Sequence, residues 1–340
     1  MLDETDRQIA VALMASPRAS WRTIAQVLDL SERTIVRRGT TLLRDGTLRP
    51  TAVRNPARFA RISPLVLRIR CRPNRVGAVA AQLARRPDAV GIGILGGGEI
   101  SGILFLDGIE ARNSLLLREL PAVGGIRSWE AQELLRVFPE GFSWNGGLLN
   151  PEQLKALSPL PLPHDPTEPP EIQKPDEALI DQLTVNARAG YGELGDLLDI
   201  TATTVRRRLE KLLAAHVVRL VCEVDFGLLG MAGQALLRIT TGPANLDALG
   251  DVLSRHPNVR FTAATTGAAN LLVAVAAEDR DALYTFLTRT VGGLDDIRAV
   301  EAAPILETHI LSPLFPATST AHFGSDLGED DAGRPVGRGD

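Results

Sequence analysis

The sequence repeats itself. Shifted by 170 positions, Asp6 falls on Asp176, Leu13 on Leu183, Arg18-Ala19 on Arg188-Ala189 and Leu28-Asp29 on Leu198-Asp199. Thr34 falls on Thr204, Arg37-Arg38 on Arg207-Arg208, and Leu42-Leu43 on Leu212-Leu213. The match continues through Leu67-Arg68-Ile69 on Leu237-Arg238-Ile239 and Gly97 on Gly267. Near the end one inserted residue brings Ile126-Arg127 onto Ile297-Arg298. A period this long means one multi-element unit built twice, so whatever the first half folds into, the second half folds into as well.

Pro159, Pro161, Pro163, Pro166, Pro169 and Pro170 lie between the copies. Proline lacks an amide donor and favours extended backbone, so 143–174 reads as a semi-rigid linker. The stretch 316–340 is small, polar and acidic (Gly328-Glu329-Asp330-Asp331) and reads as a disordered tail. The expected domains are 1–55 and 62–140 in the first copy, and 175–225 and 232–312 in the second.

Within 1–55, Ile9, Leu13 and Met14 have helical spacing. Ser20 suits the N-cap of a second helix with Ile24, Val27 and Leu28 inward. Asp29-Leu30 makes a tight connection, and Ser31 caps a third helix that buries Ile35, Leu42 and Leu43. The second copy repeats this around Leu179, Leu183, Leu194, Leu198, Thr201, Val205 and Leu212. Three short helices with a tight turn between the last two form a helix-turn-helix.

The third helix carries the chemistry. Ser31, Arg33, Thr34, Arg37 and Arg38 mark it in the first copy; Thr201, Thr203, Thr204, Arg206, Arg207, Arg208 and Lys211 mark it in the second. Short hydroxyls in the opening turn reach base edges, and guanidinium groups grip phosphates or guanine. A solvated arginine-rich face is the plainer reading, but the same Thr-x-x-Arg-Arg pattern stands at the same place twice. Gly39 faces Leu209 across the repeat and is expected to loosen the first of these helices, leaving the second copy the stronger reader.

The remainder of each copy alternates strands and helices. Leu48–Val53 and Val218–Val224 read as a strand or wing. Strands at 65–71, 90–95, 100–106 and 126–138, with helices at 75–86 and 110–120, give β-α-β-β-α-β. The second copy gives strands at 235–240, 259–265, 270–276 and 297–311, with helices at 245–256 and 279–291. The fold class is therefore α+β: two winged helix-turn-helix domains and two ferredoxin-like βαββαβ domains in tandem. Such a sheet leaves one face bare, and pairing of the two copies within the chain would bury it. Gly96, Gly97 and Gly98, with Thr266, Gly267, Ala268 and Asn270, join or flank the middle strands. They are either simple hairpin turns or the rim of a small-molecule pocket.

Formal net charge is -4, which by itself argues weakly against nucleic acid, but the charge is uneven. Residues 1–170 hold 22 Arg/Lys against 17 Asp/Glu, while 171–340 hold 15 against 24. The two cysteines, Cys71 and Cys222, are not equivalent in the repeat, so neither a disulfide framework nor a cysteine metal site is expected. No apolar run approaches the roughly 18 residues of a membrane span, and the acidic N-terminus lacks signal-peptide features, so the expected location is the cytoplasm.

These residues resemble the Lrp/AsnC family of regulators, on Leu2-Asp3-x-x-Asp6, Leu30-Ser31-x-x-Thr34-Ile35-x-Arg37-Arg38, Ile200-Thr201-x-x-Thr204-Val205-x-Arg207-Arg208 and the ferredoxin-like domain that follows. The resemblance implies a non-enzymatic transcriptional regulator that binds double-stranded DNA and needs no cofactor. Its effector domains would dimerise and bind an amino acid or related metabolite. Family members usually carry one unit per chain, so this chain looks like a covalent dimer, with dimers or tetramers of chains open to it. The family's effector loop commonly reads Gly-x-x-Asp, and the aligned Gly97-Gly98-Glu99-Ile100 and Gly267-Ala268-Ala269-Asn270 lack the acid at its last position. Siroheme decarboxylases resemble the same family and also occur as two fused units, which makes an enzyme the alternative. They would need cationic and His side chains around a polycarboxylate tetrapyrrole. His164, His216, His256, His309 and His322 all lie away from the glycine loops and middle strands. A third reading is an effector-binding protein whose helix-turn-helix domains have lost DNA binding.

Overall fold

The computed structural model describes residues 2–59, 61–138, 144–157 and 171–310. The first module is α1 (Glu4–Ala15), α2 (Trp21–Leu28) and α3 (Glu32–Arg44). Asp3, Ser20 and Ser31 cap them, each side chain accepting the backbone N–H three residues on. Those hydrogen bonds satisfy donors that a helix start leaves bare. Between α2 and α3, Asp29 takes the left-handed conformation (φ 53°), a conformation Asp tolerates better than most residues, and this makes the tight turn. A strand, β1 (Arg49–Arg54), follows.

The first ferredoxin-like domain is β2 (Ile62–Cys71), α4 (Val76–Ala84), β3 (Ala89–Leu95), β4 (Glu99–Asp107), α5 (Gly108–Ser114, continued by a π-helical turn) and β5 (Ile126–Val137). A short helix, α6 (Pro151–Leu157), comes next. The second copy is α7 (Lys174–Val185), α8 (Tyr191–Leu198), α9 (Ala202–Ala214), β6 (Val218–Glu223), β7 (Gly233–Thr241), α10 (Leu246–Ser254), β8 (Val259–Thr265), β9 (Leu271–Ala277), α11 (Arg280–Thr285, again with a π-helical turn) and β10 (Ile297–Ile310). Asp199 repeats the φ of Asp29. The α+β class and the β-α-β-β-α-β order are as the sequence predicts.

Each ferredoxin-like sheet is antiparallel, and the two join at their edges: β5 pairs with β8 and β10 with β3, closing an eight-stranded barrel. Closure removes the edges that an open sheet leaves exposed. Its interior core draws on both copies, with Val66, Leu95, Ile103 and Leu134 packing against Leu236, Phe261, Leu272 and Ala274. The helices of each copy cover the outer face over separate cores.

Two expectations need correcting. The strand after each third helix is not a wing on its own module. β1 and β6 pair with each other, from Arg49 opposite Glu223 to Arg54 opposite Val218. They also cross over. Cys222, Val224, Phe226 and Leu229 enter the first module's core, whereas Ala52 and Phe59 join the second's. The stretch 143–174 is not simply a linker either. Trp144, Leu149 and Leu157 are buried in the first module, Trp144 sits edge-on to Phe226 at 4.6 Å, and Gln153 on α6 donates to the Val27 carbonyl at 3.0 Å. Most of its prolines and the tail 316–340 lie outside the described residues. Cys71 and Cys222 are buried and unpaired. Among the described residues no helix is long and apolar enough to cross a membrane.

Candidate nucleic-acid interface and glycine loops

α3 and α9 start alike. The hydroxyl of Ser31 accepts from the Thr34 N–H and that of Thr201 from the Thr204 N–H, both at 3.2 Å, and each pair of hydroxyls also touches, at 2.8 and 2.9 Å. The caps therefore fix the threonines while the opening turns stay in solvent. Arg33, Arg37, Thr203, Arg206, Arg207 and Lys211 are exposed, and Thr34 and Thr204 half-buried.

Arg38 and Arg208 are placed differently from the sequence reading. Arg38 turns back to the start of α1 and holds Asp3 at 2.6 Å and Asp6 at 2.9 Å. Arg208 holds Asp176 at 2.8 Å. The Asp3 carboxyl lies below its usual range, first because the Asp6 N–H donates to it and then because Arg38 does. This Arg pins the third helix to the first. Its signal was the Asp6/Asp176 match, which set an acid beside the repeat's second arginine.

Gly39 is also explained. A Cβ there would collide with the ring of Trp21, while the second copy has Tyr191 and buried Leu209 at these two positions. A large ring with glycine is exchanged for a smaller ring with leucine, so Gly39 is a packing partner rather than a loose point.

The two modules are tied by a reciprocal exchange that sequence reasoning missed. Arg18 donates to the carbonyls of Ala187 (2.6 Å) and Ala189 (2.9 Å), and Arg188 donates to those of Pro17 (2.6 Å) and Ala19 (2.9 Å). The Arg18 guanidinium lies 4.5 Å from the Tyr191 ring centroid and that of Arg188 lies 4.4 Å from Trp21. Cation–π contacts and charge-assisted hydrogen bonds of this kind resist separation. With the β1–β6 ribbon they set the spacing of α3 and α9. The identical Arg-Ala pairs in the repeat were the available signal.

The glycine loops lie at the barrel's two seams. The Gly96 N–H donates to the Pro304 carbonyl at 3.0 Å, and Gly97 and Gly98 have φ of 80° and 76°, accessible to glycine at no steric cost. In the other loop the Thr266 N–H donates to the Glu133 carbonyl and the Thr266 hydroxyl accepts from the Glu133 N–H, both at 2.9 Å; a Cβ on Gly267 would collide with Gln132. Asn270 has both amide atoms on the Thr241 backbone at 3.0 Å, so it clips its own domain together.

Strand register moves the inserted residue. Arg68 pairs with Ser101 and Arg238 with Leu272, so the extra residue of the second copy lies in this loop, not near the end of the unit. Glu99 therefore matches Asn270, and Gly96-Gly97-Gly98-Glu99 does carry an acid three residues after a glycine. Glu99 is buried and binds Arg68 and Arg238, each at 2.7 Å. Arg68 also pairs with Glu301 of the other copy. Burial draws the Arg238 guanidinium below its ordinary value, with Glu99 opposing. Arg68 and Arg238, charged residues in apolar strands at the same place twice, announced this network, since a buried charge needs a partner.

Two clefts open on the first ferredoxin-like domain. One, of about 580 Å³, lies between the starts of β2 and α5 and reaches Glu133, which touches the second glycine loop. The other, of about 760 Å³, lies between α4 and α5.

The AsnC-type helix-turn-helix domain family matches residues 2–42 and 174–213, and the Lrp/AsnC ligand binding domain family matches 234–315. An uncharacterised HTH-type transcriptional regulator of Pyrococcus furiosus is 30% identical over 145 residues, 42% of this chain and 98% of its own. The HTH-type transcriptional regulator LrpA of Pyrococcus abyssi is 23% identical over 137 residues, 40% of this chain and 97% of its own. Among solved structures, the siroheme decarboxylase NirDL superposes over 91% of this chain and 93% of its own with a TM-score of 0.58 and 10% identity, a likeness of fold. The chain is thus a member of the Lrp/AsnC family, with the family's unit present twice in one polypeptide.

Proposed function

We propose that the chain is a sequence-specific DNA-binding transcriptional regulator in which the two copies act as the two subunits of a dimer. The observation that carries this is the pair of identically capped helices, α3 and α9, held at a fixed spacing by the Arg18/Arg188 exchange. Thr34, Thr203 and Thr204 stand where short side chains reach base edges, and Arg33, Arg37, Arg206, Arg207 and Lys211 where cations reach phosphate or guanine. Ser31 and Thr201 serve as caps at helix N-termini that themselves attract phosphate. Arg38 and Arg208 each pin the third helix to the first within their own module and leave the reading set. The protein shifts DNA from upstream of its own gene, with affinity falling steeply as salt rises. Arg37→Ala with Arg207→Ala abolishes the shift; unchanged binding in that variant contradicts the assignment.

DNA binding is modulated by a small metabolite of the amino-acid class at the seams around Gly96–Gly98 and Thr266–Ala268. The open cleft ending at Glu133 and the match to the family's ligand binding domain support this placement. A ligand that binds the folded state raises the melting temperature, so a thermal-shift series of amino acids and 2-oxo acids identifies the class. Self-association of whole chains uses the effector domains. The likeness to NirDL keeps one enzymatic reading in view, and a spectral shift on incubation with siroheme would favour it.

A further inference from the structure

We propose that the two recognition surfaces divide the work unequally, the first module supplying most of the grip on the DNA backbone; this rests on the DNA-binding reading above. With Arg38 and Arg208 committed to the first helix of each module, the remaining charges differ sharply. On the first module Arg22, Arg33, Arg37 and Arg44 are exposed, and none has an ion-pair partner among the described residues. Their neighbours on the same surface are Thr23, Gln26, Thr40 and Thr41, with Asp29, Glu32 and Asp45 as the acids.

The second module reverses the balance at matching positions. Arg22 becomes Gly192, Arg33 becomes Thr203 and Arg44 becomes Ala214, partly offset by the loss of two acids, Glu32 to Ala202 and Asp45 to Ala215. Thr23 becomes Glu193, Gln26 becomes Asp196 and Thr40 becomes Glu210, all three exposed. Arg206, which the first copy lacks, is held by Glu210 at 2.8 Å. Only Arg207 and Lys211 on α9 remain exposed without an acidic partner among the described residues. The helix before a recognition helix crosses the phosphate backbone, so Glu193 and Asp196 on α8 oppose the polyanion there. The second module keeps Thr203 and Thr204 at its opening turn and is left to read bases with little electrostatic hold.

The test uses the full chain and a duplex that it selects from a randomised pool. Each phosphate contact contributes about one unit of salt slope, so Arg33→Ala with Arg37→Ala lowers the slope by about two and weakens binding about tenfold more than Arg207→Ala with Lys211→Ala. Glu210→Thr, which frees Arg206, tightens binding about threefold. All five side chains are exposed, and unchanged melting curves establish that the variants fold. Equal losses from the two double variants, a larger loss from the second, or weakening by Glu210→Thr overturns the proposal. Failure of the wild-type chain to select or bind any duplex overturns the DNA-binding reading itself.

Discussion

The two helix-turn-helix modules share a backbone plan and differ in what packs against it. The first pairs Trp21 with Gly39 and takes α6, Trp144 and Phe226 into its core. The second pairs Tyr191 with Leu209, and its Leu197, at the position where Val27 meets α6, is 61% exposed. Duplication preserved the third-helix caps Ser31 and Thr201, the Arg38/Arg208 pins and the Arg18/Arg188 exchange, all of which hold one module together or join the two. Surface charge and peripheral packing diverged. A fused pair can differ in this way because neither copy has to be its own partner, whereas identical subunits change both surfaces at once.

The largest expected effect tests the added packing. Trp144→Ala removes an aromatic side chain from the first module's core and costs it about 3–5 kcal/mol, read as earlier loss of hydrogen-exchange protection in α1 and α2 than in α7 and α8. Next is the ring exchange. Gly39→Leu collides with Trp21 and costs about 1–3 kcal/mol in denaturant melts, and adding Trp21→Tyr recovers most of it. No recovery would mean that the two positions are not a matched pair.

The exchange between modules should be symmetric although the modules are not. Arg18→Ala and Arg188→Ala each remove two hydrogen bonds and one ring contact, with equal costs of about 1–3 kcal/mol. Unequal costs would show that the pairing, too, has diverged. The last difference is a pH dependence confined to one strand of the ribbon. Glu223 stands where β1 has Val53; burial pushes its carboxyl from 4.5 up to about 8, with Arg49 opposing. The folded state thus holds this proton more tightly than the unfolded chain does. Stability is fullest below pH 4.5 for this group and declines as pH rises toward 8. Glu223→Gln flattens that decline in melts across the interval.

The repeat made most of the architecture legible, because elements, the third-helix caps and inward apolar positions recur at an offset that changes by only one residue. What stayed hidden lay in contacts between copies. No periodicity marks β1 and β6 as partners, or shows that each serves the other's module. α6 is a single short turn-rich helix beside a proline run, and its burial follows from tertiary contact, not pattern. The loop insertion could be placed only by strand pairing, since Gly267 meets a glycine in either alignment, Gly97 at the original offset or Gly96 at one residue more; that register returned an acid, Glu99, to the first loop. Arg38 and Arg208 read as DNA contacts because helical spacing gives a side chain's face, not the partner waiting one helix away.

The most direct test of the central claim is a hydroxyl-radical footprint of the full chain on its selected duplex, with the number of chains per duplex measured alongside. If α3 and α9 act as the paired readers of a dimer, one chain protects two stretches on one face of the DNA, about one helical turn or a multiple of it apart. A single protected stretch per chain, with the second supplied only by another chain, would contradict it.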